Sequence, residues 1–456
     1  PRSNPPAAMA EHSEGGRDRR EVVLARARDA LRREPEFVAR APGRVNLIGE
    51  HTDYNGFPVR PMAIDRDIAI AGVARSDGEV HLLNRGRFAT RSFALGDTIA
   101  PFPAGDWGNY VKAAAQGLGR HLDGGLRRGA DLYVDGDVPD GAGLSSSSAL
   151  VVASALALLA ANEVDVPHAD LAEILPRAEQ YVGTLSGGMD QTISLLGLAG
   201  HALRIDFRPL RWRPVPLPTE SCFVVAHSLV HADKAGGARR AYNTRVAECR
   251  LAAWAAARLL RGESDSAAPL LGDLPKLLGM PTASVAAAVE SVLPAAEVTL
   301  EQLGSLTGVP GSAIRAAVDL PADVEGRFAL AARARHVLTE ASRVDLAEAA
   351  LRAGDTESFA AAMNASHASC RDDYEISCAA LEALVTTALR MGALGARLTG
   401  AGFGGCIVAL VPTSTATDFV AELDETFYAP RERAGAELDH LRFVLQPSGG
   451  ADVTRR

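Results

Sequence analysis

The segment Ala41-Pro42-Gly43-Arg44-Val45-Asn46-Leu47-Ile48-Gly49-Glu50-His51-Thr52-Asp53-Tyr54-Asn55-Gly56 sets the tightest limit on what this chain can become. Arg44, Glu50, His51 and Asp53 fall within ten positions, beside the core-seeking Val45, Leu47 and Ile48. Buried charges are costly unless they are paired or met by a ligand. Two readings compete: a surface loop with incidental ion pairs, or a pocket wall that grips hydroxyl groups. So much charge beside core residues favours the second. Carboxylates accept from hydroxyls, arginine donates, and histidine does either. A sugar is the ligand that suits such a set.

The rest of the chain narrows the class. Its 456 residues suffice for a large core and two domains. A net charge of -9 offers no general basic footprint for nucleic acid. Five cysteines, widely spaced and without a C-x-x-C pair, fit a reducing compartment better than a disulfide framework or a zinc site. The longest apolar run, Ala149 to Ala161, contains Ser154 and falls short of the roughly 18 residues that cross a membrane. Residues 1–20 are polar, lack a signal-peptide core, and are expected to form a disordered tail, with Met9 as a candidate start. The expectation is a cytoplasmic monomer with no nucleic-acid or membrane partner.

Periodicity predicts a helix over 21–35 and a strand near Phe37 to Ala39. Strands are expected at Ile64–Val73, Val80–Leu83, Asp131–Val134, Cys222–Ala226 and Cys406–Val411. Ala149–Asn162 reads as a buried helix, with further helices through Tyr242, Val246, Cys249 and Ala253, over Arg327–Ala353 and over Leu381–Met391. The proline-rich stretch Ala199 to Pro218 is the candidate domain boundary, and 262–325 an insertion of short helices.

Three more segments carry chemistry. In Val138-Pro139-Asp140-Gly141-Ala142-Gly143-Leu144-Ser145-Ser146-Ser147-Ser148-Ala149, glycines precede a helix start. Glycines let backbone approach an anion, and a helix start supplies N–H donors and a positive dipole end. The bland alternative is a generous N-cap. In Leu398-Thr399-Gly400-Ala401-Gly402-Phe403-Gly404-Gly405-Cys406 the glycines match G-x-G-x-x-G, but a strand follows rather than a helix, which rejects a dinucleotide fold. The loop either supports a phosphate site or makes a tight hairpin. In Gly183-Thr184-Leu185-Ser186-Gly187-Gly188-Met189-Asp190-Gln191, Asp190 either meets a ligand or caps a helix. His227 and His231 read as bland, Arg239 and Arg240 as a solvated face, and Cys370 and Cys378 as small buried residues.

Together these segments resemble the GHMP kinase superfamily and, within it, the galactokinases, in the branch that also holds N-acetylgalactosamine kinases. The resemblance continues through Tyr242-Asn243-Thr244-Arg245 and Ser369-Cys370-Arg371-Asp372-Asp373-Tyr374-Glu375. It implies an α+β, two-domain fold with the active site in the cleft. A ribosomal-S5-domain-2-like domain over 21–215 would bind sugar and ATP, and a ferredoxin-like domain would cover 216–456. Asp190 would be the catalytic aspartate and Arg44 its partner. Arg44, Glu50, His51, Asp53, Gly187, Asp190 and Tyr242 would bind the sugar. Gly141, Ala142, Gly143, Leu144, Ser145, Ser146 and Ser147 would wrap the phosphates of ATP. Ser147 and Glu179 would hold Mg²⁺. The serine run is one residue longer than in many galactokinases, which leaves the choice of hydroxyl open by one position.

The implied reaction is ATP-dependent phosphorylation of the C1 hydroxyl of galactose. Such transfer needs positioning and charge neutralisation more than covalent chemistry. Asp190 would take the proton of the attacking hydroxyl or orient it electrostatically. An N-acetylgalactosamine kinase, an arabinose-type kinase and a non-catalytic galactose and ATP sensor are the alternatives. The intact stretch Leu144–Ala149 and the presence of Asp190 and Arg44 weigh against the sensor.

Overall fold

The computed structural model describes residues 18–122, 125–183, 185, 187–231, 237–262, 268–433 and 436–456. Six strands form the first sheet: β1 (Phe37–Asn46), β2 (Pro61–Ala74), β3 (Glu79–Asn84), β4 (Arg91–Ala94), β5 (Ala130–Gly136) and β12 (Asp452–Arg455). Their order is β12-β1-β2-β5-β3-β4, antiparallel except where β3 runs parallel to β5.

Helix α1 (Arg19–Leu31) lies on one face of this sheet, where Val23, Leu24 and Ala27 pack on Val38, Ala71 and Tyr133. Residues 18–20 therefore leave the expected tail: Asp18 accepts from the Arg20 backbone at 3.2 Å and Arg19 donates to Asp67 at 2.7 Å. The rest of that tail lies outside the described residues. Helices α2 (Gly108–His121) and α3 (Ser146–Ala161) cover the other face. Helix α3 is apolar nearly all round, and it is buried nearly all round. Helices α4 (His168–Glu179) and α5 (Met189–Leu196) pack beside it.

Strand β1 runs well beyond the predicted Phe37 to Ala39. Pro42-Gly43 does not end it but shifts its register against β2, and such a bulge re-aims the next side chain. A Cβ on Gly43 would stand 2.8 Å from the carbonyl oxygen of Leu144. Glycine thus lets the strand meet the loop that opens α3.

The stretch expected to hold the boundary contains a ribbon. Strands β6 (Ala202–Asp206) and β7 (Arg211–Val215) pair antiparallel, and Val59 bridges to Ile205. Beyond it, β8 (Ser221–His227), β9 (Gly395–Leu398), β10 (Cys406–Pro412) and β11 (Arg442–Val444) form an antiparallel sheet in the order β11-β8-β10-β9. Helix α6 (Gly237–Arg261) is followed by the short helices α7 (Leu274–Leu278), α8 (Thr282–Val292), α9 (Leu300–Thr307) and α10 (Gly311–Ala317). Helices α11 (Leu330–Ala353), α12 (Thr356–Asp372), α13 (Ala379–Arg390), α14 (Ala416–Leu423) and α15 (Leu438–Leu441) belong to the second half.

The two halves are not independent. Val45 and Leu47 share one core with Phe223, Val344, Phe359 and Leu410. The end of the chain, assigned by sequence to the second domain, returns as β12 to the edge of the first sheet. No described helix is long and apolar enough to cross a membrane.

Candidate active site

Two glycine-rich loops meet back to back. Gly143 (φ +75°) could not carry a Cβ, which would lie 2.7 Å from Thr399 O; one on Gly400 (φ +86°) would lie even closer to Gly143 O. The Cys406 amide donates to Ala142 O at 2.9 Å. The third motif turns the β9–β10 hairpin and backs the loop that opens α3. The side chains of Ala142 and Leu144 are buried in the core. Ser145 adopts a left-handed conformation (φ +61°) and its hydroxyl does not cap α3. It donates to Asp190 instead. A helix start without a side-chain cap keeps donors for an anion.

The register shift in β1 aims Arg44 at the start of α5. Its Nε and Nη2 donate to the two carboxylate oxygens of Asp190 at 2.8 and 3.0 Å, and Nη1 reaches Gly143 O. Bidentate pairs of this kind fix orientation as well as charge. Asp190 does not cap α5; its side chain is spent on Arg44 and Ser145.

The sugar-binding candidates gather around this pair. Arg44, Glu50, Asp53, Glu179, Asp190 and Tyr242 line one cavity, partly open to solvent. Burial pushes the Glu50 carboxyl up to about 7, although Arg397 stands 3.0 Å away and Arg44 also opposes the shift. Burial, then the nearby charge of Asp190, pushes Asp53 up to about 6. The Met189 amide donates to Asp53 at 3.3 Å. A Cβ on Gly187 would collide with the Asp53 carboxylate and the Tyr54 amide, so only glycine fits there. Thr184 and Ser186 of the same segment lie outside the described residues. His51 borders the cavity, but both its ring nitrogens are engaged within the protein, with Tyr54 and Ala401.

Ser148 Oγ donates to Glu179 Oε2 at 2.8 Å, and Gln191 donates to the same oxygen. Ser148, one residue beyond the expected Ser147, thus meets this carboxylate. Among the described residues no group of three or more His, Cys, Asp or Glu could hold a metal ion. His227 and His231 lie with ring centroids 5.4 Å apart, and burial holds His227 down at about 4.

Two residues escaped the sequence reading. Arg239, read as part of a solvated face, lines the cavity and donates to Val182 O at 3.4 Å. Arg397 is fully buried in β9 and pairs with Glu50. An arginine inside the apolar run Gly395–Leu398 was the available signal for the second; nothing local marked the first.

The fold and this site define a kinase of the GHMP class. Residues 109–198 match the GHMP kinases N terminal domain and 347–429 the GHMP kinases C terminal domain, while 28–74 match the galactokinase galactose-binding signature. The chain is 34% identical to the galactokinase of Dictyostelium discoideum (92% of this chain, 90% of that one) and 39% identical to that of Chloroflexus aurantiacus (89% and 91%). The bovine enzyme is 36% identical (92% and 97%). The chain belongs to the galactokinase family. The crystal structure of Lactococcus lactis galactokinase complexed with galactose superposes with a TM-score of 0.73 at 27% identity, covering 95% of this chain and 99% of that one. Methanococcus jannaschii mevalonate kinase, at 16% identity and a TM-score of 0.53, shares the fold alone.

Proposed function

We propose that this chain transfers the γ-phosphoryl group of ATP to the anomeric hydroxyl of galactose, yielding galactose 1-phosphate and ADP. The observation that carries the reading is the clamped Arg44–Asp190 pair, set between a hydroxyl-accepting cavity and the start of α3. Glu50 and Asp53 accept from sugar hydroxyls, and Tyr242 closes one wall. The backbone of Gly141 to Ser147 and the start of α3 hold the phosphates.

Asp190 accepts from the C1 hydroxyl. The hydroxyl oxygen forms the new bond to the γ-phosphorus as the bond from phosphorus to the β,γ-bridging oxygen breaks. The proton passes to Asp190, and ADP leaves with the bridging electrons. Arg44 keeps the carboxylate in place and offsets charge in the transition state. The donor set of Glu179 with Ser147 and Ser148 fits Mg²⁺, which takes few protein oxygens beside those of a nucleotide. When bound, the ion would neutralise phosphate charge.

A coupled ADP-release assay across galactose, N-acetylgalactosamine, glucose and arabinose tests the reading. Galactose is expected to give the highest kcat/KM and glucose a very low one, because a site that pairs an axial C4 hydroxyl leaves polar groups unmet by the epimer. A preference for N-acetylgalactosamine overturns the sugar assignment. No turnover with any of the four overturns the kinase mechanism.

A further inference from the structure

We propose that Cys249, Tyr374, Tyr54 and His51 form a one-way hydrogen-bond relay that ends on Nδ1 of His51, while its Nε2–H ties Ala401 of the glycine loop to the sugar-binding segment. Donor accounting leaves one arrangement. His51 Nε2 lies 3.2 Å from the carbonyl oxygen of Ala401, which only accepts, so Nε2 carries the hydrogen. Burial holds the ring neutral, with its pKa down at about 3, so Nδ1 is an acceptor. The Tyr54 hydroxyl, 2.8 Å from Nδ1, must donate to it. Tyr54 then accepts from the Tyr374 hydroxyl at 2.6 Å, and Tyr374 accepts from the Cys249 thiol at 3.1 Å. Reversing any link would face two hydrogens or two lone pairs across a buried contact.

The relay gathers separate parts of the chain. Tyr54 follows the sugar-binding carboxylates, Cys249 belongs to α6, and Tyr374 follows α12. Cys249 and Tyr374 are buried, and neither they nor Tyr54 line the cavity. His51 itself is held in a left-handed conformation (φ +59°), uncommon for a residue other than glycine. Asn55 Nδ2 anchors its carbonyl at 2.9 Å. The carbonyl that His51 grips belongs to the residue after Gly400, which abuts Gly143 of the phosphate-facing loop. His51 therefore joins the sugar segment to the nucleotide loop. Tyr54, Tyr374 and Cys249 are positioning residues, acting through it.

The kinetic consequence rests on the reading of the cavity as a galactose and ATP site; the relay itself does not. Nitrogen NMR of the whole protein labelled with ¹⁵N-histidine reads the relay directly, with His51 assigned by His51→Gln. The wild type is expected to show an Nε2–H ring with Nδ1 hydrogen-bonded. Tyr374→Phe should keep that signature, because Tyr54 still donates. Tyr54→Phe should move Nδ1 to the position of a free imine nitrogen. In turnover assays Tyr54→Phe should raise KM for galactose and for ATP together, by about tenfold, the worth of one buried hydrogen bond. Cys249→Ser, whose hydroxyl still donates, should stay near wild type. A wild-type His51 protonated on Nδ1 overturns the proposal, even if Tyr54→Phe does not fold. So does a KM rise confined to galactose, which would make Tyr54 a local sugar contact. If galactose and ATP are not the substrates, the NMR result still decides the relay.

Discussion

Two of the buried ionic clusters among the described residues are built to opposite rules. Glu348 on α11 receives Arg60 at 2.8 Å, Arg213 at 2.9 Å and Arg352 at 2.9 Å, with Arg204 at 3.2 Å. Burial alone would raise its pKa, but hydrogen bonds from Arg352 and Arg213 and the charge of Arg60 hold it down at about 2. In the cavity, burial prevails: Glu50 rises to about 7 and Asp53 to about 6. In the first cluster the carboxylate is fully met by donors, although Nε and Nη1 of Arg60 are left without partners. The second keeps carboxylates short of donors, as a site awaiting hydroxyl groups should.

The sharpest test of this contrast lies at Asp190. Asp190→Ala should cut turnover by about two to four orders of magnitude, the worth of a positioned acid–base group, while galactose affinity falls less. Isothermal titration beside steady-state kinetics separates the two effects. A folded variant retaining more than about a tenth of wild-type kcat would remove Asp190 from the chemistry.

Glu348→Ala should show the reverse pattern. It strands Arg60, which is fully buried, without its partner. Removing one partner of a buried pair costs about 3–5 kcal/mol. The denaturant midpoint should fall sharply while kcat and KM of the folded fraction hold. A stability loss comparable to a surface change would show that the cluster is not closed.

The titration windows separate the clusters too. Glu50 and Asp53 are raised in the folded state. Between about 4 and their folded values of about 7 and 6 the free protein holds protons that the unfolded chain lacks, so its stability declines as pH rises through that window. Glu348 is lowered, so its contribution is intact above about 4.5 and lost as pH falls toward 2. Galactose that donates to the cavity carboxylates favours their ionised forms. Its affinity should therefore rise from pH 5.5 to 8, by up to about tenfold per titrating unit, with protons released on binding. Asp53→Asn should flatten part of that slope. A pH-independent Kd would mean that the sugar does not meet ionised Glu50 or Asp53.

How much of this was legible in sequence follows from the range of each interaction. Strands β2, β5, β8 and β10 and helix α3 announce themselves through short-range patterns of apolar residues. Helix α12 does not, because its buried face includes Ser366, His367 and Ser369. Strands β6 and β7 were hidden by Pro209 and Pro214, although Pro214 pairs with Leu203. Strand β12 depends on an edge that β1 offers from the far end of the chain. In the site, the charged residues of 41–56 were visible, but the bulge that aims Arg44 and the Arg397 that meets Glu50 are tertiary facts. The choice between Ser147 and Ser148 depends on how α3 faces α4, which spacing alone leaves open.

Arg239 gives the smallest expected effect and the finest test of the comparison. Beside Arg240 it looks like a solvated pair, yet the first turn of α6 brings it to the cavity wall. Arg44, the other arginine of that wall, is spent on Asp190 and Gly143. Arg239 makes one long bond to Val182 O and no ion pair among the described residues. Its guanidinium is expected to offset charge on a phosphoryl group in transfer. From a half-exposed position its contribution should be modest. Arg239→Ala is expected to lower kcat about tenfold with little change in galactose KM, and Arg239→Lys to restore part of it. Unchanged kcat in both variants would return Arg239 to the solvated face. A rise in galactose KM alone would place it on the sugar rather than on the phosphate.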